Sequence, residues 1–113
     1  MTFFQAIKIR LSAEGKLFPL KADISNIDDI KAAFAWVREH LKTVHILINN
    51  AGIDHSGLLL EIEPKRLKEV LDVNVLGLSV CTQKVYQLMK EANVNDGHII
   101  NIGRYAYEII ISL

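Results

Sequence analysis

The sequence has a single cysteine, Cys81, only two prolines, and no excess of either charge. One cysteine excludes an internal disulfide and a cysteine-rich metal cluster, and it favours a reducing, cytoplasmic compartment. Because 13 basic residues balance 13 acidic ones, the composition gives no electrostatic reason to expect nucleic acid as a partner. No apolar run reaches the roughly 20 residues of a membrane span. The four histidines lack ligand spacing, so we expect no metal site.

Hydrophobic residues make up 50% of the 113 positions and charged residues 23%, which is typical of one globular domain. Apolar spacing predicts helices over 2–13, 27–42 and 64–92, and strands over 16–22, 44–49 and 98–102. The second and third strands are nearly continuous apolar runs, the pattern of strands buried on both faces of a parallel sheet. Pro19 predicts an edge position for the first strand. Three strands that alternate with helices predict an α/β fold with a parallel sheet.

Ligands of such sheets bind beyond the carboxyl ends of the strands. The stretches 23–24, 49–52 and 103–105 follow the three predicted strands. In the second stretch, Ala51 and Gly52 are small enough for a flat ligand to lie against the backbone. The adjacent asparagines supply hydrogen-bond donors and acceptors without charge. The sequence therefore places a candidate nucleotide site at this edge of the sheet.

Four motifs in order carry a family resemblance: Asp23, LINNAG at 47–52, DVNVLG around Asn74, and GHIINI at 97–102. This set resembles the short-chain dehydrogenase/reductase (SDR) family, and in particular its subgroup of dehydrogenase/reductase family member 11 and insect farnesol dehydrogenase-like proteins. The likeness covers about residues 14–102, and residues 103–113 form a divergent tail. The resemblance implies a single partial Rossmann domain over 1–113, with a doubly wound parallel sheet. It also implies hydride transfer between a secondary alcohol or ketone and NAD(P).

The resemblance assigns cofactor contacts to five residues of this chain. Asp23 matches the acidic residue that hydrogen-bonds the adenine amino group, and Ile24 matches its neighbour near the ring. Asn50, Ala51 and Gly52 match the positions that line the adenosine ribose side of the cofactor. The subgroup implies NADP(H) and lipophilic substrates such as steroids or isoprenoid alcohols, but the sequence leaves NADP(H) and NAD(H) both open.

Two further asparagines take family roles by the same resemblance. Asn49 matches the residue that steadies the central sheet. Asn74 matches the asparagine of the catalytic tetrad, whose backbone breaks the helix and binds a water that leads to the catalytic lysine. An asparagine three residues before Gly77 is unfavourable inside a helix, which is consistent with a functional kink there.

The sequence also departs from the family pattern at the catalytic centre. The 113 residues contain no TGxxxGIG phosphate loop, and Arg104 occupies the position of the catalytic serine. Tyr105 and Tyr107 do not replace the catalytic tyrosine, because the residues four positions later are isoleucines rather than lysine. We therefore expect a fragment of an NAD(P)-dependent oxidoreductase, truncated at both ends, that is catalytically incompetent by itself.

Simpler interpretations stand beside these roles. Asp23 alone is typical of a turn or helix cap, residues 49–52 alone form a turn signature, and Asn74 alone is typical of a solvated helix. At the level of the whole chain, the alternative is a non-catalytic interaction fragment. The family resemblance implies a homodimer through the long helix at 65–92, so such a fragment would pair with a full-length relative through that helix.

Overall fold

The computed structural model describes residues 15–103 and 110–112. It contains helix α1 (Ile27–Leu41), strand β1 (Ile46–Asn49), helix α2 (Pro64–Leu71), a π-helical segment (Asp72–Gly77), helix α3 (Leu78–Glu91), strand β2 (His98–Asn101) and strand β3 (Ile110–Ser112). The helix predicted over 2–13 and the predictions for Arg104, Tyr105 and Tyr107 lie outside the described residues. The predicted α/β class is confirmed.

Helix α1 begins where its sequence supplies a cap. The side chain of Asn26 accepts hydrogen bonds from the backbone N–H groups of Asp28 and Asp29, at 2.9 and 3.4 Å. The two aspartates then lie in the first turn, where their charge favours the helix dipole. The helix ends at Lys42, which has a positive φ of 71° and donates its N–H to the carbonyl of Val37.

The sheet has the order β1-β2-β3. Strands β1 and β2 are parallel, and their register pairs Ile46 with His98 and Asn49 with Asn101. Strand β3 pairs with the other edge of β2 and runs antiparallel to it. The prediction of a parallel pair is confirmed, whereas the antiparallel β3 is not one of the three strands predicted as parallel. The third strand comes from the divergent tail rather than from residues 16–22.

Residues 16–22 form no strand, so this part of the sequence prediction is wrong. The segment has the composition of a strand, but a strand also needs a hydrogen-bonded neighbour, and none of the described strands lies beside it. Phe18 instead lies near Trp36 of α1, with 5.4 Å between the ring centroids. Local propensity alone therefore did not predict this segment correctly.

The core lies between the two long helices and one face of β1. Its buried apolar residues are Ile30, Cys81, Val85, Leu88, Met89 and Ile99. An ion pair at 2.9 Å between Arg38 and Glu91 joins α1 to α3 at the surface. On the opposite face of β1, Ile46 and Ile48 are 60% and 58% exposed. The expectation that this strand is buried on both faces is therefore wrong, because the core covers only one of them.

The helix predicted over 64–92 is interrupted by the π-helical segment, which includes Asn74. Gly77 ends this segment and is buried against the turn that precedes α1. A methyl group on Gly77 would overlap the carbonyl oxygen of Ile24 and lie 2.5 Å from its Cγ2 atom. The absence of a side chain at Gly77 thus lets the distorted helix approach the chain beyond residue 22. The kink expected near Asn74 thus takes the form of a π-helical segment within the predicted helix.

Candidate functional site

A cavity of about 610 Å³ opens at the carboxyl ends of β1 and β2. It is lined by Asn50, Ala51, Gly52, Ile53, Asp54, Asn74, Leu78, Asn101, Ile102 and Gly103. Its volume lies within the roughly 300–1,000 Å³ typical of small-molecule sites. The structure thus brings the predicted residues Asn50, Ala51, Gly52 and Asn74 together. Asp23 and Ile24 are not among the lining residues.

Asn74 fixes the loop that follows β1. Its Oδ1 accepts a hydrogen bond from the backbone N–H of Ile53 at 2.9 Å, and its Nδ2 donates to the carbonyl of Ile53 at 2.8 Å. The carboxamide therefore pairs with Ile53 as a neighbouring strand would. A Cβ on Gly52 would lie 3.5 Å from Asn74 Oδ1, in ordinary contact. These two bonds fix the side chain of Asn74 and leave one N–H of its Nδ2 without a hydrogen bond to the described residues.

Asn49 links three elements beneath the cavity. Its Nδ2 donates to Oγ1 of Thr82 at 3.2 Å and to Oδ1 of Asn101 at 2.8 Å, and its side chain is buried. The hydrogen bonds join β1 to α3 and β2, as expected of a residue that steadies the sheet. Thr82 and Asn101 were missed in the sequence. Asn101 had a usable signal, since it ends its strand as Asn49 ends its own and lies opposite it in the register.

Asp23 forms a local turn in the structure. Its Oδ1 accepts hydrogen bonds from the backbone N–H and the hydroxyl of Ser25, at 2.9 and 2.7 Å. These two bonds stabilise the carboxylate and hold the pKa of Asp23 below its ordinary value. Its own N–H donates to Oδ2 of Asp29. The turn interpretation describes these contacts fully, and the adenine contact stays a prediction.

His55 anchors the loop between β1 and α2. Its Nε2 lies 3.1 Å from Oε2 of Glu69 on α2. The side chain of His55 is half-buried, and that of Glu69 is partly exposed. The pair lies just beyond Ile53 and Asp54, which line the cavity. It therefore helps to hold the cavity wall, a role that the sequence did not indicate.

Tyr86 and Lys90 have the four-residue spacing of the family's catalytic tyrosine and lysine, but they lie away from the cavity that contains Asn74. Both line a second cavity of about 290 Å³, together with Asn93, Asn95 and Gly97. That cavity is near the amino end of β2 and the end of α3. Tyr86 and Lys90 therefore lie at the opposite end of β2 from the cavity that contains Asn74, and they are not catalytic partners for it.

The remaining ionisable and sulfur groups form no further site in the described part of the chain. No group of three or more histidine, cysteine, aspartate or glutamate side chains there is arranged to hold a metal ion. Cys81 is buried, and burial raises the pKa of its thiol, which makes it a poor nucleophile. Within residues 15–103 and 110–112, no helix has the length and apolar character needed to cross a membrane.

A parallel strand pair joined through helices, with a cavity of small and amide side chains at its carboxyl ends, is the arrangement of a partial Rossmann fold. The family model of short-chain dehydrogenases matches residues 4–107. The chain therefore belongs to the short-chain dehydrogenase/reductase family.

Individual relatives agree with this membership. Dehydrogenase/reductase SDR family member 11 of Homo sapiens is 43% identical over 99 residues, which make up 88% of this chain and 38% of that protein. Farnesol dehydrogenase of Aedes aegypti is 45% identical over 101 residues, or 87% of this chain and 41% of that one. The chain thus spans about two fifths of the length of these relatives.

A solved structure supports the partial Rossmann fold. The short-chain dehydrogenase/reductase from Serratia marcescens BCRC 10948 superimposes with a TM-score of 0.72 at 29% sequence identity. The superposition covers 83% of this chain and 44% of that enzyme. The sequence-based prediction of the fold class and of the family is confirmed.

Proposed function

We propose that this chain supplies the nucleoside-binding part of an NAD(P)-dependent SDR oxidoreductase and does not catalyse hydride transfer by itself. The cavity at the ends of β1 and β2 supports this proposal, since it brings Asn50, Ala51 and Gly52 beside Asn74. When bound, NAD(P) would supply the hydride acceptor or donor. The residues of this chain would hold the nucleoside against the backbone of 50–52, and the backbone near Asn74 would hold a water.

The groups around the cavity fit an uncharged nucleoside better than a pyrophosphate. None of the described side chains that line it is basic, and the 113 residues contain no glycine-rich phosphate loop. Such a loop binds phosphate through backbone N–H groups at a helix N-terminus. We therefore expect no saturable binding of NADP(H) or NAD(H) below millimolar concentrations, a result that calorimetry with the purified chain would check.

The proposed lack of catalysis follows from the residues beyond β2. Arg104 stands where the family has its serine. Because a general acid–base group contributes about 10²–10⁴ to a rate, we expect the 113 residues alone to show no measurable rate without that hydroxyl. The relative named farnesol dehydrogenase makes a lipophilic alcohol or ketone the substrate class we propose for a complete enzyme of this type.

Oxidation of farnesol with NADP⁺ or NAD⁺ by the purified chain tests this proposal. We expect no rate above the protein-free blank, whereas the full-length Aedes aegypti relative in the same assay would serve as the active reference. A rate proportional to the concentration of this chain would contradict the proposed incompetence. Activity that appears only on mixing with a full-length relative would instead favour the second function.

The second candidate function is pairing with another SDR chain through the long helix. Leu67, Leu71 and Val75 recur every four residues and are 39%, 50% and 55% exposed. Residues at this spacing share a helix face, so the chain presents an apolar stripe along α2 and the π-helical segment. A stripe of this kind fits a homodimer or a complex with a full-length relative.

Substitution of one stripe residue tests the pairing. We expect Leu71→Glu to reduce the dimeric fraction in sedimentation equilibrium, because a buried unpaired carboxylate opposes association. Leu41→Glu is the matched control, since Leu41 is similarly exposed at 44% but lies at the end of α1. An equal loss of dimer in both variants would argue against this helix as the interface.

A further inference from the structure

The hydrogen bonds of Asn49 fix the orientation of a second asparagine. Asn49 Nδ2 carries two N–H groups, and the structure directs one to Thr82 Oγ1 and the other to Asn101 Oδ1. Asn49 is only 9% exposed, so water competes little for these bonds. The oxygen of Asn101 is thereby held toward the interior of the sheet.

The amide nitrogen of Asn101 must then point away from Asn49. Its Oδ1 and Nδ2 atoms lie on opposite sides of one planar group, so fixing the oxygen turns Nδ2 away from Asn49. Asn101 lines the larger cavity. Among the hydrogen bonds of the described residues, the side chain of Asn101 takes part only through its Oδ1. Two N–H donors are thus presented to whatever occupies the cavity.

Few other polar side chains of the cavity could present N–H donors to a ligand. Asn74 commits its Oδ1 and one N–H of its Nδ2 to the backbone of Ile53, so only one of its two N–H groups remains. Asp54 is charged, but it already takes part in another interaction. Asn50 is exposed and its side chain is not fixed by a hydrogen bond to the described residues. Asn101 is therefore the lining side chain that keeps both of its N–H groups unused in a fixed orientation.

We propose that Asn101 is a ligand-contact residue that donates a hydrogen bond to an acceptor oxygen on the uncharged nucleoside part of the ligand. Asn49 is its positioning residue, since it fixes the carboxamide without reaching the ligand itself. This inference rests on the proposed nucleoside-binding function. Two N–H donors pair with a hydroxyl or carboxamide oxygen and cannot pair with another donor, so the position also selects for the ligand's acceptor group.

Nuclear magnetic resonance of the isotope-labelled chain tests the assignment. Adenosine and nicotinamide riboside are titrated separately into the millimolar range, while the side-chain amide signals of Asn101 and the backbone signals of 50–52 are followed. We expect one of the nucleosides to shift both sets of signals with the same concentration dependence. The nucleoside that does so identifies the half of the cofactor that Asn101 contacts.

A near-isosteric variant of Asn101 tests its N–H donor while preserving the fold. Asn101→Asp keeps an oxygen acceptor for Asn49 and replaces the free donor by an acceptor. We expect it to weaken binding about tenfold, as loss of a hydrogen bond of about 1.4 kcal/mol would. The control Asn95→Asp makes the same change of charge away from this cavity and should bind as the parent chain does.

The outcomes distinguish this inference from the function on which it rests. If the signals of 50–52 shift but those of Asn101 do not, or if Asn101→Asp binds as well as the parent, the role of Asn101 is wrong and the proposed site stands. If neither nucleoside shifts either set of signals, both the site and the role of Asn101 are wrong.

Discussion

Gly77 is the residue whose side-chain size matters most for the geometry of the site. A Cβ at this position would overlap the carbonyl oxygen of Ile24, and backbone atoms yield less readily than the end of a side chain. We expect Gly77→Ala to lower the free energy of unfolding by about 1–3 kcal/mol, the usual cost of overpacking. Urea denaturation would measure it. Gly15→Ala, where a Cβ meets no atom within 4 Å, should change stability little; an equal loss in both would contradict the steric cause.

The turn at Asp23 makes the stability of the folded chain depend on pH, and the pKa shift gives the direction of that dependence. Hydrogen bonds from Ser25 lower the pKa of Asp23 in the folded chain. The stabilisation is therefore complete above the ordinary carboxyl pKa and is lost as the pH falls through the lower folded value. We expect Ser25→Ala to raise the Asp23 pKa toward its ordinary value in a carbon-detected titration. Ser56→Ala lies outside the turn and should leave the titration unchanged.

For single residues, the sequence predicted which residues belong to the site better than it predicted which atoms they contact. Asn50, Ala51, Gly52 and Asn74 do meet around one cavity, because a motif after a strand and a motif inside the following helix converge in this topology. The pairing of Asn74 with Ile53 was not predictable, since it depends on the exact path of the loop. Asn101 was overlooked because its role depends on strand register, which the apolar run alone does not define.

Among the elements, the π-helical segment and the loop after β1 depend on each other. Loss of the side chain in Asn74→Ala removes both hydrogen bonds to Ile53, so the loop should open more often. Each bond contributes about 0.5–1.5 kcal/mol, and we expect amide exchange of the Ile53 N–H to accelerate about tenfold or more. Asn95→Ala should not affect it. Unchanged exchange in Asn74→Ala would mean that other contacts hold the loop.

The elements predicted correctly are those whose signals are local. The cap at Asn26, the apolar stripe of α1 and the apolar runs of β1 and β2 each act within a few residues. The strand predicted at 16–22 and the exact form of the kink near Asn74 were less predictable, because both depend on distant parts of the chain. Residues 16–22 have no neighbour among the described strands, and the π-helical segment packs its Gly77 against Ile24.

The molecule as a whole exposes apolar surface on its sheet as well as on its helix. Ile46 and Ile48, two residues apart, lie on the same face of β1 and are both more than half exposed. Surfaces of this kind favour association, and the edge of β1 that pairs with none of the described strands adds to that tendency. We expect the isolated chain to form soluble oligomers, which light scattering would detect as a raised mean mass. Ile46→Lys with Ile48→Lys should lower its mean mass, whereas Leu41→Lys should have a smaller effect.

Thermal unfolding offers an independent check on this expectation. A monodisperse monomer with a sharp, cooperative transition would contradict it. Such behaviour would mean that the exposed face of β1 is covered within a single chain, for instance by residues 16–22 moving beside β1. The exposed fractions of Ile46 and Ile48 would then be much smaller than the 60% and 58% of this structure.

The aromatic contacts of α1 provide the chain with an intrinsic fluorescence probe. Trp36 is the only tryptophan in the sequence; it stacks on His40 with 4.3 Å between ring centroids and lies beside Phe18. Its fluorescence therefore senses whether residues 16–22 rest on α1. If a binding partner draws that segment into a sheet, Phe18 leaves the indole, the ring becomes more hydrated, and the emission maximum moves to longer wavelength. Docking of a partner would then be visible without any added label.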